Sequence, residues 1–218
     1  MPRPILRYPF RSALNILCAA LSLAGLIVLV CLASAHASVY HIVSFAIYGT
    51  SLTALWSVSA AYHTLGATNR TLEQWDHAMI YFLIAGTYTP ICLVVLKGGW
   101  GWSLFGVNWG LAAAGITLKL AIRRPARAIT VLLFVFYILM GWLVAIAWGP
   151  LTRALPAEGV AWLVWGGIFY TFGAAVLNMK FLDFSPSFGS HDIWHLFVAA
   201  GSFCHYWLMV RYVMELKP

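Results

Sequence analysis

Seven stretches of about twenty predominantly apolar residues, separated by short polar or glycine- and proline-bearing breaks, decide most of what this chain can become. They run at about 14–33, 40–61, 77–96, 102–121, 128–148, 159–178 and 192–212, punctuated by Lys97-Gly98-Gly99, Arg123-Arg124-Pro125, Gly149-Pro150 and Ser185-Pro186-Ser187. At a rise of 1.5 Å per residue, about 20 helical residues cross the roughly 30 Å hydrocarbon core of a bilayer. The stretches are apolar nearly all round, the pattern of a membrane helix and not of an amphipathic surface helix. Hydrocarbon offers the backbone no hydrogen-bond partner, so each segment must satisfy its own N–H and C=O groups as a helix. The expected fold is all-α: a seven-transmembrane-helix bundle forming one polytopic domain over residues 1–218. Only 9% of residues are charged, against roughly 25% in soluble domains, which excludes a soluble core on a single anchor.

Orientation follows from the basic residues. With the N-terminus cytoplasmic and the C-terminus outside, Arg3, Arg7, Arg11, Arg70, Lys119, Arg123, Arg124, Arg127 and Lys180 fall inside, and Lys97, Arg153, Arg211 and Lys217 outside. Nine against four follows the positive-inside rule. The basic start and Ala35-His36-Ala37 imitate a signal peptide, but an apolar stretch of about 20 residues exceeds a typical signal core, so the first run is read as a retained helix. Tryptophans and tyrosines near the ends of the runs suit interfacial belts. The net charge of +7 forms no solvated arm or basic repeat and gives no reason to expect nucleic acid. Cys18, Cys31, Cys92 and Cys204 lie within apolar stretches without paired spacing, and are expected to be buried free thiols.

Against this background, ionisable groups inside spans mark functional sites. The last run opens with His191-Asp192-Ile193-Trp194-His195. Histidines four apart on a helix sit about 40° apart around the axis and one turn apart along it, so both can reach one small ion. The second run ends with Ser59 and His63, and the third begins at Asp76 and His77. In the predicted topology all of these land at one depth, near the inner membrane face. His63, His191 and His195 would supply three neutral nitrogens to zinc, leaving a coordination position for water. Asp76 could hold that water or take its proton, and Ser59, one turn before His63, could donate a supporting hydrogen bond. Asp192 follows the first histidine directly and projects to another face, so no His-Glu-x-x-His base is present. Taken singly, the same groups read as interfacial histidines and a helix-terminal charge.

Other polar residues are expected to be structural. His77 projects about 100° from Asp76 and is read as a supporting residue. His205, fourteen residues beyond His191, lies about 20 Å deeper and bonds within the bundle or lines a lipid cavity. His36 and His41 fall at the outer surface and are expected to be solvated. Asn15, Asn108 and Asn178 suit helix–helix hydrogen bonds. Pro90 implies a kink, with Thr87 or Thr89 capping the freed carbonyl. No Gly-x-Ser-x-Gly, Walker-type loop or dinucleotide fingerprint occurs.

Ser59-x-x-x-His63, Asp76, the stretch Ile80–Pro90 and His191-x-x-x-His195 together resemble the hemolysin III family, the bacterial members of the progestin and adipoQ receptor superfamily. The likeness spans the second to the seventh run. It implies seven membrane helices with the N-terminus inside, a bacterial inner-membrane location, zinc on His63, His191 and His195, Asp76 holding water on the zinc, and Ser59 in support. Related proteins are associated with hydrolysis of lipid amides such as ceramide, and bacterial members with cytolysis and membrane-fluidity homeostasis. The chain departs from the family before the first helix, where Asn15 is kept but the acid and histidine around it are missing. Three functions follow as expectations: a zinc hydrolase of lipid amides or esters at the inner leaflet, with membrane lipids or fatty acids as partners; a non-catalytic sensor stapled by zinc; and a pore-forming cytolysin.

Overall fold

The computed structural model describes residues 8–35, 39–65, 68–122, 126–177, 179–185 and 188–216. His36, Asn178, Arg3, Arg7, Arg123, Arg124 and Lys217, with the side chain of Lys180, lie outside the described residues. Seven helices are long and apolar enough to cross a membrane: α1 Pro9–Ala35, α2 Val39–Leu65, α3 Arg70–Leu96, α4 Gly98–Ala121, α5 Arg127–Ala154, α6 Ala157–Val176 and α7 Ser190–Val213. The protein is an all-α seven-helix membrane bundle.

Local chemistry explains the ends that matter. Asn69 caps α3 by accepting from the backbone N–H groups of Thr71 and Leu72 at 3.0 and 3.3 Å, the usual role of an asparagine before a first turn. That start places Asp76 in the second turn of α3. α7 is anchored by Asp183, whose carboxylate accepts from the Ser190 N–H and hydroxyl at 2.8 and 2.9 Å. Between α3 and α4 the chain turns within Lys97 and Gly98, both at positive φ, so the two helices follow one another without a loop.

Two breaks differ from expectation. Gly149-Pro150 does not end the fifth span. The helix passes through a 3₁₀ stretch at Leu143–Ala147 into a further helical segment, Trp148–Ala154, whose first turn contains Pro150. Proline in a first helical turn costs little because its fixed φ suits a helix start; the true break is at Leu155 and Pro156. Beyond Pro90, α3 continues as a π-helical turn, Ile91–Leu96. Thr87 and Thr89 donate to the carbonyls of Leu83 and Ala85 at 2.8 and 2.9 Å, not to the Gly86 carbonyl that proline leaves without its usual partner.

In packing, α2 lies between α1 and α3, α3 on α4, α6 on α7, and α1 against α7, whereas α5 makes only sparse approaches to its neighbours. Close approach is bought with small residues. A Cβ at Gly86 of α3 would lie 2.6 Å from the Cβ of Ser51 on α2, and one at Gly25 of α1 would lie 2.8 Å from the Tyr206 ring of α7. Tyr206 also donates its hydroxyl to the Gly25 carbonyl at 3.3 Å. Asn15 and Asn108 make interhelical bonds, to Ser59 and to the Met140 carbonyl at 3.3 and 3.4 Å.

Two surface expectations are corrected. His41 is buried, with a ring nitrogen 3.1 Å from the Val213 carbonyl, because the end of α7 covers it. Trp56 lies in the core, its ring 6.2 Å from that of His195. Cys31 is a free thiol but exposed on the outer face of α1.

Because α5 stands off, a cavity of about 650 Å³ opens among α2, α3, α5, α6 and α7. Its wall is mainly apolar, including Leu55, Ile80, Leu83, Phe134 and Val198. It reaches from His191 and His195 as far as His205. Those ten to fourteen residues of helix correspond to about 15–20 Å.

Candidate metal centre

His63 occupies the last turn of α2, and His191 and His195 the first two turns of α7. The His191 and His195 rings stack at 5.0 Å with an interplanar angle of 8°, as the four-residue spacing requires. The His63 ring stands across them at 88° to each, with centroids 5.2 and 5.0 Å away. One nitrogen from each ring lies within 4.8 Å of the others. Nitrogens on one zinc at 2.0–2.1 Å are at most about 4.2 Å apart, so ring movements of less than about 1 Å complete the approach.

The donor chemistry fits a metal. His63 and His195 are buried, and both ring nitrogens of His63 and Nε2 of His195 have no hydrogen-bond partner. A buried polar atom without a partner costs about 1–3 kcal/mol, and one nitrogen of His63 together with Nε2 of His195 can be satisfied by an ion that His191 also reaches. Among the described residues this is the group of histidines, cysteines and acids that could hold an ion. The His-rich group can therefore bind a metal.

The remaining expected site residues lie beside this cluster. Asp76 is half-buried on the cavity wall that also carries Ser59, His191 and His195. Ser59 lies beside the Asp76 carboxyl on that wall, and Asn15 donates its amide to Ser59 Oγ at 3.3 Å. His77 lines the same cavity, with Nδ1 2.7 Å from the Glu73 carbonyl of its own helix. His205 lines the far part of the cavity and faces the Leu163 carbonyl at 3.3 Å through Nε2.

One element escaped the sequence. Asp192, set aside as pointing away, is 1% exposed and forms an ion pair with Arg11 of α1, through Arg11 Nη2 at 3.0 Å and Nε at 3.3 Å. Arg11 had been counted only as a cytoplasmic charge. The signal was present: two opposite charges at one predicted depth, Arg11 just before the first span and Asp192 at the start of the last.

Comparison with known proteins identifies relatives of the chain. A family model described as "Haemolysin-III related" matches residues 9–206. The chain is 38% identical to Hemolysin-3 of Bacillus cereus over 199 residues, covering 90% of this chain and 87% of that one. It is 38% identical to a Hemolysin-3 homolog of Bacillus subtilis over 198 residues, covering 90% and 89%. It is also 29% identical to the human monocyte to macrophage differentiation factor over 174 residues, covering 77% and 69%.

Proposed function

The chain belongs to the haemolysin-III related family and is a multi-pass protein of the bacterial plasma membrane; on that premise we propose a zinc-dependent hydrolase of lipid amides or esters. The observation that carries the reading is the coincidence of three converging imidazoles, two of them with buried unpartnered nitrogens, with the polar end of a long apolar cavity. His63, His191 and His195 would hold the ion, which supplies Lewis acidity and acidifies water towards neutral pH.

The rest of the chemistry belongs to the chain. The cavity would take the acyl chain, its apolar wall excluding water, and so set the carbonyl against the histidines. Asp76 would accept the proton of the attacking water and return it to the departing amine or alkoxide. Ser59 holds the Asp76 carboxyl, and Asn15 holds Ser59. By the distribution of arginines and lysines, this end faces the cytoplasmic leaflet.

The test is release of fatty acid from a panel of amides and esters by protein purified in lipid nanodiscs. Turnover that disappears with His191→Ala and with chelation supports the reading. Stoichiometric zinc with no turnover across the panel overturns it.

A second reading has its own observation. The backbones of α2 and α7 come close at few points, so an ion shared by His63, His191 and His195 would staple them without chemistry, in a sensor of membrane composition. Asp76→Asn separates the two, since it leaves the donors intact: function survives in a sensor and is lost in a hydrolase.

A further inference from the structure

The three histidines come from two helices whose backbones approach each other at few points, so contacts from a third helix bear on their spacing before an ion arrives. α1 lies against both α2 and α7. Its first two turns carry three polar side chains, Arg11, Ser12 and Asn15, all buried. Each lands on the site or immediately beside it. Arg11 grips Asp192, the residue after His191, in a two-pronged pair. Ser12 donates to the backbone carbonyl of His63 itself at 3.1 Å. Asn15 donates to Ser59, one turn before His63. The grip on α7 is doubled from within, because Asp192 also accepts from the Gly189 N–H at 3.0 Å and so fixes the start of that helix.

We propose that Arg11 is a positioning residue of the metal centre: through Asp192 it ties the first turn of α7, and with it His191 and His195, to the end of α2 that carries His63. This deepens the metal reading above and rests on it. Arginine suits the role because its planar guanidinium meets a carboxylate with two parallel bonds and fixes direction as well as distance. Partners that orient metal ligands from outside the coordination sphere are worth about 10–100-fold in metal affinity. The pair also gives the first helix, which lacks the family's acid at its start, a part in the site.

The experiment uses the full chain in nanodiscs, with the four native cysteines replaced and spin labels at Leu65 and Leu196, both exposed on their helices. Pulsed electron paramagnetic resonance reads the α2–α7 distance without metal, and competition against a chromophoric chelator reads zinc affinity. Arg11→Gln is expected to broaden or shift the distance distribution and to weaken zinc binding about 10–100-fold. The charge exchange Arg11→Asp with Asp192→Arg is expected to recover part of both. Arg11→Lys keeps the charge but not the two-pronged geometry, and carries the test if Arg11→Gln does not fold; it too should weaken zinc. An unchanged distance distribution, or an altered one with unchanged zinc affinity, overturns the proposal, as does a lowered melting temperature alone. If the wild type binds no zinc, the metal reading fails, and the metal-free distances still decide whether Arg11 sets the spacing.

Discussion

Replacing His63 by leucine should change the sign of its effect on stability with the metal. Both ring nitrogens of His63 are buried without a partner, and a neutral imidazole there leaves one donor and one acceptor unmet. At about 1–3 kcal/mol for each buried unsatisfied atom, the metal-free protein bears a penalty whose low end is about 2 kcal/mol. Leucine is of comparable bulk, carries no polar atom, and would sit against the Tyr62 ring, which lies 4.7 Å from that of His63. In the presence of a strong chelator, His63→Leu should therefore melt about 4–8 °C higher than wild type, at roughly 2–4 °C per kcal/mol for a chain of this size. With zinc at a thousandfold its dissociation constant the wild type gains about 4 kcal/mol that the variant cannot, and the order reverses. The assay is intrinsic-fluorescence melting of both proteins in nanodiscs, with chelator and with zinc. A variant that melts below wild type in chelator refutes the claim that these nitrogens are unpartnered in the folded protein. Zinc that raises neither curve refutes the metal site.

Asp76→Asn should retain zinc at wild-type stoichiometry, by elemental analysis, while hydrolysis falls about 10²–10⁴-fold, the scale of a lost general base. Ser59→Ala should also retain zinc and lower kcat, with KM little changed, because the hydroxyl holds the acid and not the substrate. Gly86→Ala should destabilise the bundle by about 1–3 kcal/mol, since its methyl would crowd Ser51. Ser51→Gly in the same protein should restore the melting temperature, and no recovery would show that α2 and α3 are not that close.

Much of this protein is legible without coordinates, and the reason is periodicity. Apolar runs of membrane-crossing length dictate helices because hydrocarbon offers the backbone no other partner. His191 and His195 are bound to stack because four residues make about one helical turn, and the structure sets their rings 5.0 Å apart. Local rules failed where their context was misjudged. Gly149-Pro150 is a breaker in mid-helix but harmless in a first turn. His41 looks solvated at the end of a run until α7 closes over it.

What the residue order alone determined is therefore the seven spans and the pair of histidines on α7, properties that depend on separations of a few residues along one helix. Tertiary structure supplied the distances at which His63 meets them across the bundle, and it alone decided that Arg11 reaches Asp192 across 181 residues. Such meetings depend on which helices pack and at what rotation, which small residues and close contacts over the whole bundle settle. No spacing along the chain encodes them.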